Sequence, residues 1–114
     1  MLGVATGKSR AGLNQALLDS GLGPCFHATR CADECFSKPH PAMLEELMDE
    51  LGVEPARTLM VGDTTHDLKM ARNAGVAALG VSFGAHPAAM LLAESPLACV
   101  HTPAEMGAWL RTHA

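Results

Sequence analysis

Two acids four residues apart, Asp63 and Asp67, stand at the end of a short apolar run. The stretch reads Leu59-Met60-Val61-Gly62-Asp63-Thr64-Thr65-His66-Asp67-Leu68. Residues 59–61 are hydrophobic and partly β-branched, as in a strand buried on both faces. Gly62 lets the backbone turn or admits a close neighbour. Carboxylates delivered beyond the carboxyl end of a strand lie where open α/β sheets bind their ligands. A pair of them suits a hard cation such as Mg²⁺, which binds through a few carboxylates, water and substrate phosphate. The plainer reading makes Asp63 a helix cap and Asp67 a solvated acid of the first turn.

Two further places could do chemistry. At Thr6-Gly7-Lys8, a hydroxyl and backbone N–H groups sit at a strand-to-helix turn, an arrangement that holds phosphate. The alternative for Thr6 is a hydroxyl bonded to its own backbone. Gly7-Lys8-Ser9 looks like the end of a P-loop, but that motif needs a glycine where Leu2 stands. In Ser37-Lys38-Pro39-His40-Pro41, two prolines stiffen the chain just after a lysine, which suits a residue that must present a charge. Read alone, Lys38 is equally a solvated lysine. His27, Cys31 and Cys35 do not form a zinc site by spacing: there is no CxxC pair, and a structural zinc takes four ligands. Reduced, partly buried thiols are expected there.

The elements that must position these residues alternate. Residues 2–6 form a first strand, and Ser9 caps a helix through Leu13, Ala16 and Leu17 that closes at Asp19-Ser20-Gly21. A weaker strand covers residues 26–30. Pro41 opens a helix with Met43, Leu44, Leu47, Met48 and Leu51 on one stripe, acids outside and Gly52 as its stop. After the strand at 59–61, Leu68, Met70, Ala71 and Ala74 predict an amphipathic helix ending at Gly75. Strands at 76–81 and 97–100, a short helix after Pro87 and a final helix behind a Thr102-to-Glu105 capping box complete the series. Five strand–helix pairs predict an α/β fold: a three-layer, doubly wound (Rossmann-like) parallel sheet with helices on both faces.

Composition narrows the function classes. The 114 residues suit one domain, 1–114, with one modest core. A net charge of −4 gives no reason to expect nucleic acid or an anionic membrane as partner. No apolar run approaches the ~20 residues of a membrane span. No charged and apolar leader opens the chain, so a cytoplasmic location is the expectation. Met1 runs directly into Leu-Gly-Val-Ala-Thr, which reads as the inside of a buried strand and suggests a fragment.

In their order along the chain, Val4-Ala5-Thr6-Gly7-Lys8-Ser9, Lys38-Pro39-His40-Pro41 and Gly62-Asp63-Thr64-Thr65-His66-Asp67, followed by Ala71-Arg72-Asn73-Ala74-Gly75, resemble the second, third and fourth motifs of the haloacid dehalogenase superfamily. The likeness is strongest to its phosphoglycolate-phosphatase-like branch. It implies a Mg²⁺-dependent hydrolase acting on a small phosphorylated metabolite. Thr6 and Lys38 would be catalytic. Thr6, Gly7 and Lys38 would bind the phosphoryl group. Asp63 and Asp67 would form the metal site, with Asp63 as ligand and Asp67 supporting it through water or by orienting Lys38.

The same resemblance marks a departure. The family's first motif, Asp-x-Asp-x-Thr or Val, supplies the nucleophile and the general acid, and no Asp-x-Asp occurs in this sequence. The chain therefore looks like the C-terminal part of such an enzyme, without nucleophile or cap, and inactive by itself. The alternatives are a non-catalytic relative kept for binding or assembly, and a receiver-like domain, which would need an early acidic pair that is absent. In the family the missing strand lies between the strand ending at Thr6 and the one ending near Asp63. An open gap there is expected to be repaired by direct pairing of its flanks, by a homo-oligomer or domain swap, or by a separate piece.

Overall fold

The computed structural model describes residues 1–113; Ala114, the last residue of the expected domain, lies outside the described residues. Five strands alternate with five helices: β1 Gly3–Thr6, α1 Arg10–Ser20, β2 Ala28–Cys31, α2 Ala42–Leu51, β3 Leu59–Gly62, α3 Thr65–Asn73, β4 Ala77–Val81, α4 Ala88–Leu92, β5 Ala98–Val100 and α5 Pro103–His113. The predicted alternation is the observed one.

Local chemistry sets most boundaries. Ser9 caps α1 by accepting the Gly12 N–H at 3.1 Å. Gly21 and Gly52 end α1 and α2 at φ 71° and 66°, left-handed backbone that costs glycine little. β2 begins two residues later than expected, because the Phe26 N–H is bonded to Gly23 and closes a 3₁₀ turn. Pro41 is the N-cap of α2 rather than its first residue.

All strand pairing is parallel, but it forms two sheets. β1 pairs with β2, with Thr6 opposite Cys31. β3 pairs with β4 and β4 with β5, with Gly62 opposite Gly80 and Val81 opposite Val100. β1 and β3 are not hydrogen-bonded neighbours. Direct pairing across the expected gap is thus overturned. Ala5 of β1 and Met60 of β3 pack against one apolar cluster that includes Met43, Leu44 and Met48 of α2, so the sheets share a core without sharing an edge. Between them runs a groove of about 520 Å³, lined by Gly3, Val4 and Ala5 on one side and by Leu59, Met60 and Val61 on the other.

The core follows the period-two alternation of the strands. On one face, Met43, Leu44 and Met48 of α2 meet Leu68, Met70 and Ala71 of α3, Ala78 of β4 and Leu91 of α4. On the other, Leu79, Val81 and Val100 take Met106, Trp109 and Leu110 of α5. Helices therefore cover both faces, as in a doubly wound fold.

One glycine is dictated by packing. A Cβ on buried Gly62 would lie 2.3 Å from the Cβ of Asp67, so β3 and the first turn of α3 approach only where no side chain stands. We expect Gly62→Ala to cost about 1–3 kcal/mol by overpacking. Gly7→Ala, which meets nothing within 4 Å, should change stability far less. Paired denaturant titrations check this, and equal midpoints for the two variants would contradict the close approach.

Candidate active site

Past β3 the chain makes a tight turn and enters α3. Thr64 is the N-cap: its hydroxyl accepts the Asp67 N–H at 3.2 Å, and the Asp67 carboxylate returns to the Thr64 N–H at 3.3 Å. The same Oδ2 of Asp67 also accepts the Asp63 N–H at 3.2 Å. This is a reciprocal capping box extended by one amide. Its other oxygen, Oδ1, accepts from the Lys38 ammonium in an ion pair. Asp67 is only 4% exposed, so it is no solvated first-turn acid. Every interaction of a buried carboxylate is magnified there, because desolvation makes an unpaired charge expensive.

Lys38 reaches Asp67 from the turn between β2 and α2. That turn is held at several points. His40 N–H bonds the Ser37 carbonyl, and the His40 ring accepts the Ala42 N–H at 3.1 Å. Phe36 packs on the His40 ring at 4.7 Å. Asn73, at the end of α3, donates to the Pro39 carbonyl at 3.0 Å. The lysine is therefore anchored from α2 and α3 together. The turn after β2 meets the helix after β3, so the carboxyl ends of the two sheets face the same region.

Asp63 lies just beyond β3 and is half-buried. Its Oδ2 accepts the Ala85 N–H at 3.1 Å and its carbonyl accepts the His86 N–H at 3.0 Å. Among the described residues its Oδ1 accepts no hydrogen bond. A carboxylate oxygen left free at a strand end is a hard, anionic donor, and this fits a Mg²⁺ ligand. The two Asp67 oxygens are both taken by protein donors, which places this residue behind Asp63 and Lys38.

Thr6 ends β1. Its Oγ1 accepts the Lys8 N–H at 3.1 Å, which leaves the hydroxyl proton to donate elsewhere. Gly7 is exposed beside it. Among the described residues, no hydrogen bond joins Thr6 or Gly7 to Lys38, Asp63 or Asp67. The structure thus joins Lys38, Asp67 and Asp63 in one network and sets Thr6 and Gly7 at the end of the other sheet.

The sequence reading missed two features. Arg10 braces the two loops of the first sheet: it bonds Thr29 Oγ1 at 2.8 Å and Glu34 at 2.7 Å, while its N–H is accepted by Asp33 at 3.0 Å. The Arg10 guanidinium holds the Glu34 carboxyl below the usual carboxylate range. The loop after β4, which fastens Asp63, has no signature beyond its glycine. Of the cysteines, burial pushes the Cys31, Cys35 and Cys99 thiols up, so they are protonated at neutral pH. Among the described residues no helix is long and apolar enough to cross a membrane.

Comparison with known proteins gives the family. The profile described as haloacid dehalogenase-like hydrolase matches residues 1–81. The chain is 44% identical over 106 residues to the probable phosphatase IndB of Dickeya dadantii, covering 92% of this chain and 46% of that protein. It is 40% identical over 114 residues to a phosphoglycolate phosphatase of Rhodospirillum rubrum, covering 96% and 45%. The chain spans about half the length of the curated relatives it matches. A putative beta-phosphoglucomutase from Thermotoga maritima superposes with a TM-score of 0.91 at 23% identity, over 99% of this chain and 53% of that one, which speaks for the fold. With the profile matched from β1 through β4 and the Lys38–Asp67–Asp63 network lying at the strand ends inside that span, the chain belongs to the haloacid dehalogenase-like hydrolases.

Proposed function

We propose that this chain serves a Mg²⁺-dependent hydrolase of small phosphate monoesters of the phosphoglycolate-phosphatase type, and that it is inactive when isolated. The observation that carries the reading is the buried Asp67 carboxylate, which holds Lys38 on one oxygen and the backbone of Asp63 on the other. A cation and a metal-binding oxygen are thereby kept at one strand end, which is what phosphoryl transfer requires: positioning and charge neutralisation.

Each residue then has a task at a stated atom. The Lys38 ammonium neutralises equatorial phosphoryl oxygens. The Thr6 hydroxyl donates to the phosphoryl group, and the Gly7 N–H adds a second donor. Asp63 holds the metal through Oδ1, and Asp67 acts through Lys38 and the Asp63 amide. Bound at Asp63, Mg²⁺ would supply Lewis-acid stabilisation of the phosphoryl charge. The attacking carboxylate is one that these 114 residues do not supply in an Asp-x-Asp motif. An extended strand in the groove between β1 and β3 would end between Thr6 and Asp63, and so would bring that carboxylate to the site. For the isolated chain, a second copy exchanging a segment is our preferred means of filling the groove, and it would bring no Asp-x-Asp carboxylate with it.

Two experiments test this. With the purified chain, Mn²⁺ should weakly broaden the amide resonances of residues 63–66, Mg²⁺ should reverse it, and Asp63→Asn should abolish it. p-Nitrophenyl phosphate should not turn over above background. No broadening at the end of β3 defeats the metal reading, and Mg²⁺-dependent turnover abolished by Asp63→Asn defeats the inactivity.

Sedimentation combined with hydrogen exchange tests the groove. We expect self-association together with protected amides in β1 and β3, since an unsatisfied buried backbone group costs ~1–3 kcal/mol against a total margin of ~5–15 kcal/mol. A stable monomer with freely exchanging β1 and β3 amides would show that the groove stays open.

A further inference from the structure

The loop after β4 is tied to the β3–α3 turn at three points, two of them on Asp63. Ala85 N–H binds the carboxylate at Oδ2 at 3.1 Å, and His86 N–H binds the Asp63 carbonyl at 3.0 Å. The His86 ring then turns to the other side of the turn, where its Nδ1 accepts the Thr65 N–H at 3.1 Å. Thr65 is the first residue of α3, so His86 pins the loop to the helix start on which Asp63 is hung. Gly84 makes the approach possible. A Cβ at that position would fall 2.3 Å from Asp63 Oδ2 and 2.4 Å from its Cβ. Gly84 is exposed, so nothing in the core demands a glycine there. The three nearest atoms all belong to the Asp63 side chain.

We propose that Gly84, Ala85 and His86 form a clamp that fixes the rotamer of Asp63, engaging Oδ2 so that Oδ1 alone faces the metal position, with His86 as a positioning residue. The clamp deepens the metal reading of Asp63 and rests on it. The reasoning is geometric. A carboxylate that is free to rotate presents either oxygen and must be ordered when the cation binds, whereas one held by a backbone amide is already ordered. The amide donor can hold it only while the loop stays against α3, and the loop is held there by the His86 ring. Neutral His86 with its proton on Nε2 is the form that accepts at Nδ1.

Two independent readouts test it on the purified chain. The first needs no metal: side-chain couplings of Asp63 and exchange of the Thr65 amide. Wild type should show one Asp63 rotamer and a protected Thr65 N–H. His86→Ala and Gly84→Ala should show rotamer averaging, with the melting temperature of His86→Ala close to wild type. His86→Asn, which keeps an acceptor at the δ position, should restore the single rotamer. The second readout is Mn²⁺ affinity, which should fall about tenfold or more in His86→Ala, the usual effect of losing a group that orients a ligand, and recover in His86→Asn. Rotamer averaging in the wild type overturns the clamp. So does a single Asp63 rotamer that persists in both disruptive variants. A wild type with a single, His86-dependent rotamer but no Mn²⁺ effect keeps the clamp and rejects the metal reading.

Discussion

The carboxylate of Asp67 carries more of this molecule than any other group. It is nearly fully buried, yet it accepts from the Asp63 and Thr64 amides and from the Lys38 ammonium. Those donors belong to the β3–α3 turn and to the turn preceding α2, whose lysine lies 29 residues before Asp67 in sequence. A buried carboxylate without them would be prohibitively costly, and the donors without the carboxylate would be unsatisfied amides and a stranded ammonium. The turn, the helix start and the lysine therefore hold one another in place. Gly62 belongs to the same constraint, since the backbone of β3 must come within contact of Asp67 for its oxygens to reach the turn amides.

From this knot outward, the structure is a conventional layered core with one irregularity. α2 and α3 fill one face, and α5 seals the other with Trp109 and Leu110. The irregularity is that α2 serves two sheets. Its buried Met43, Leu44 and Met48 belong to the core cluster on which Ala5 of β1 and Met60 of β3 also pack. The apolar floor is continuous where the hydrogen-bonded layer above it is not. Burial of side chains and pairing of backbone are separate requirements, and here the first is met across a line where the second is not. Val61, an apolar strand residue, is 38% exposed for that reason.

The site inherits its division from the same line. Lys38, Asp67 and Asp63 are fastened to one another, while Thr6 and Gly7 belong to the sheet that also carries the Arg10 brace. Arg10 locks the loop after β1 to the loop after β2 through Thr29, Asp33 and Glu34. Each half of the candidate site is thus held by local bonds. Their joint geometry depends on α2 and on the turn that carries Lys38 across from one sheet to the other.

Periodicity and capping in the sequence by themselves determined the five strands, the five helices, their parallel sense and the residues that face the core, because these depend on contacts within a few positions along the chain. Motif spacing also marked Thr6, Lys38, Asp63 and Asp67 at or near the strand ends, and the family to which they point. Local spacing could not decide between a solvated and a buried Asp67; the lysine that neutralises it comes from 29 residues away, and only packing brings the two together. Nor could it find Gly84 and His86, because a loop glycine and a loop histidine carry no pattern until the carboxylate they fasten is seen beside them. The open line between β1 and β3 was foreseen only through the family. That its flanks do not pair was decided by tertiary structure: β1 and β3 lie in separate sheets, and their side chains meet a shared apolar cluster and groove while their backbones do not bond.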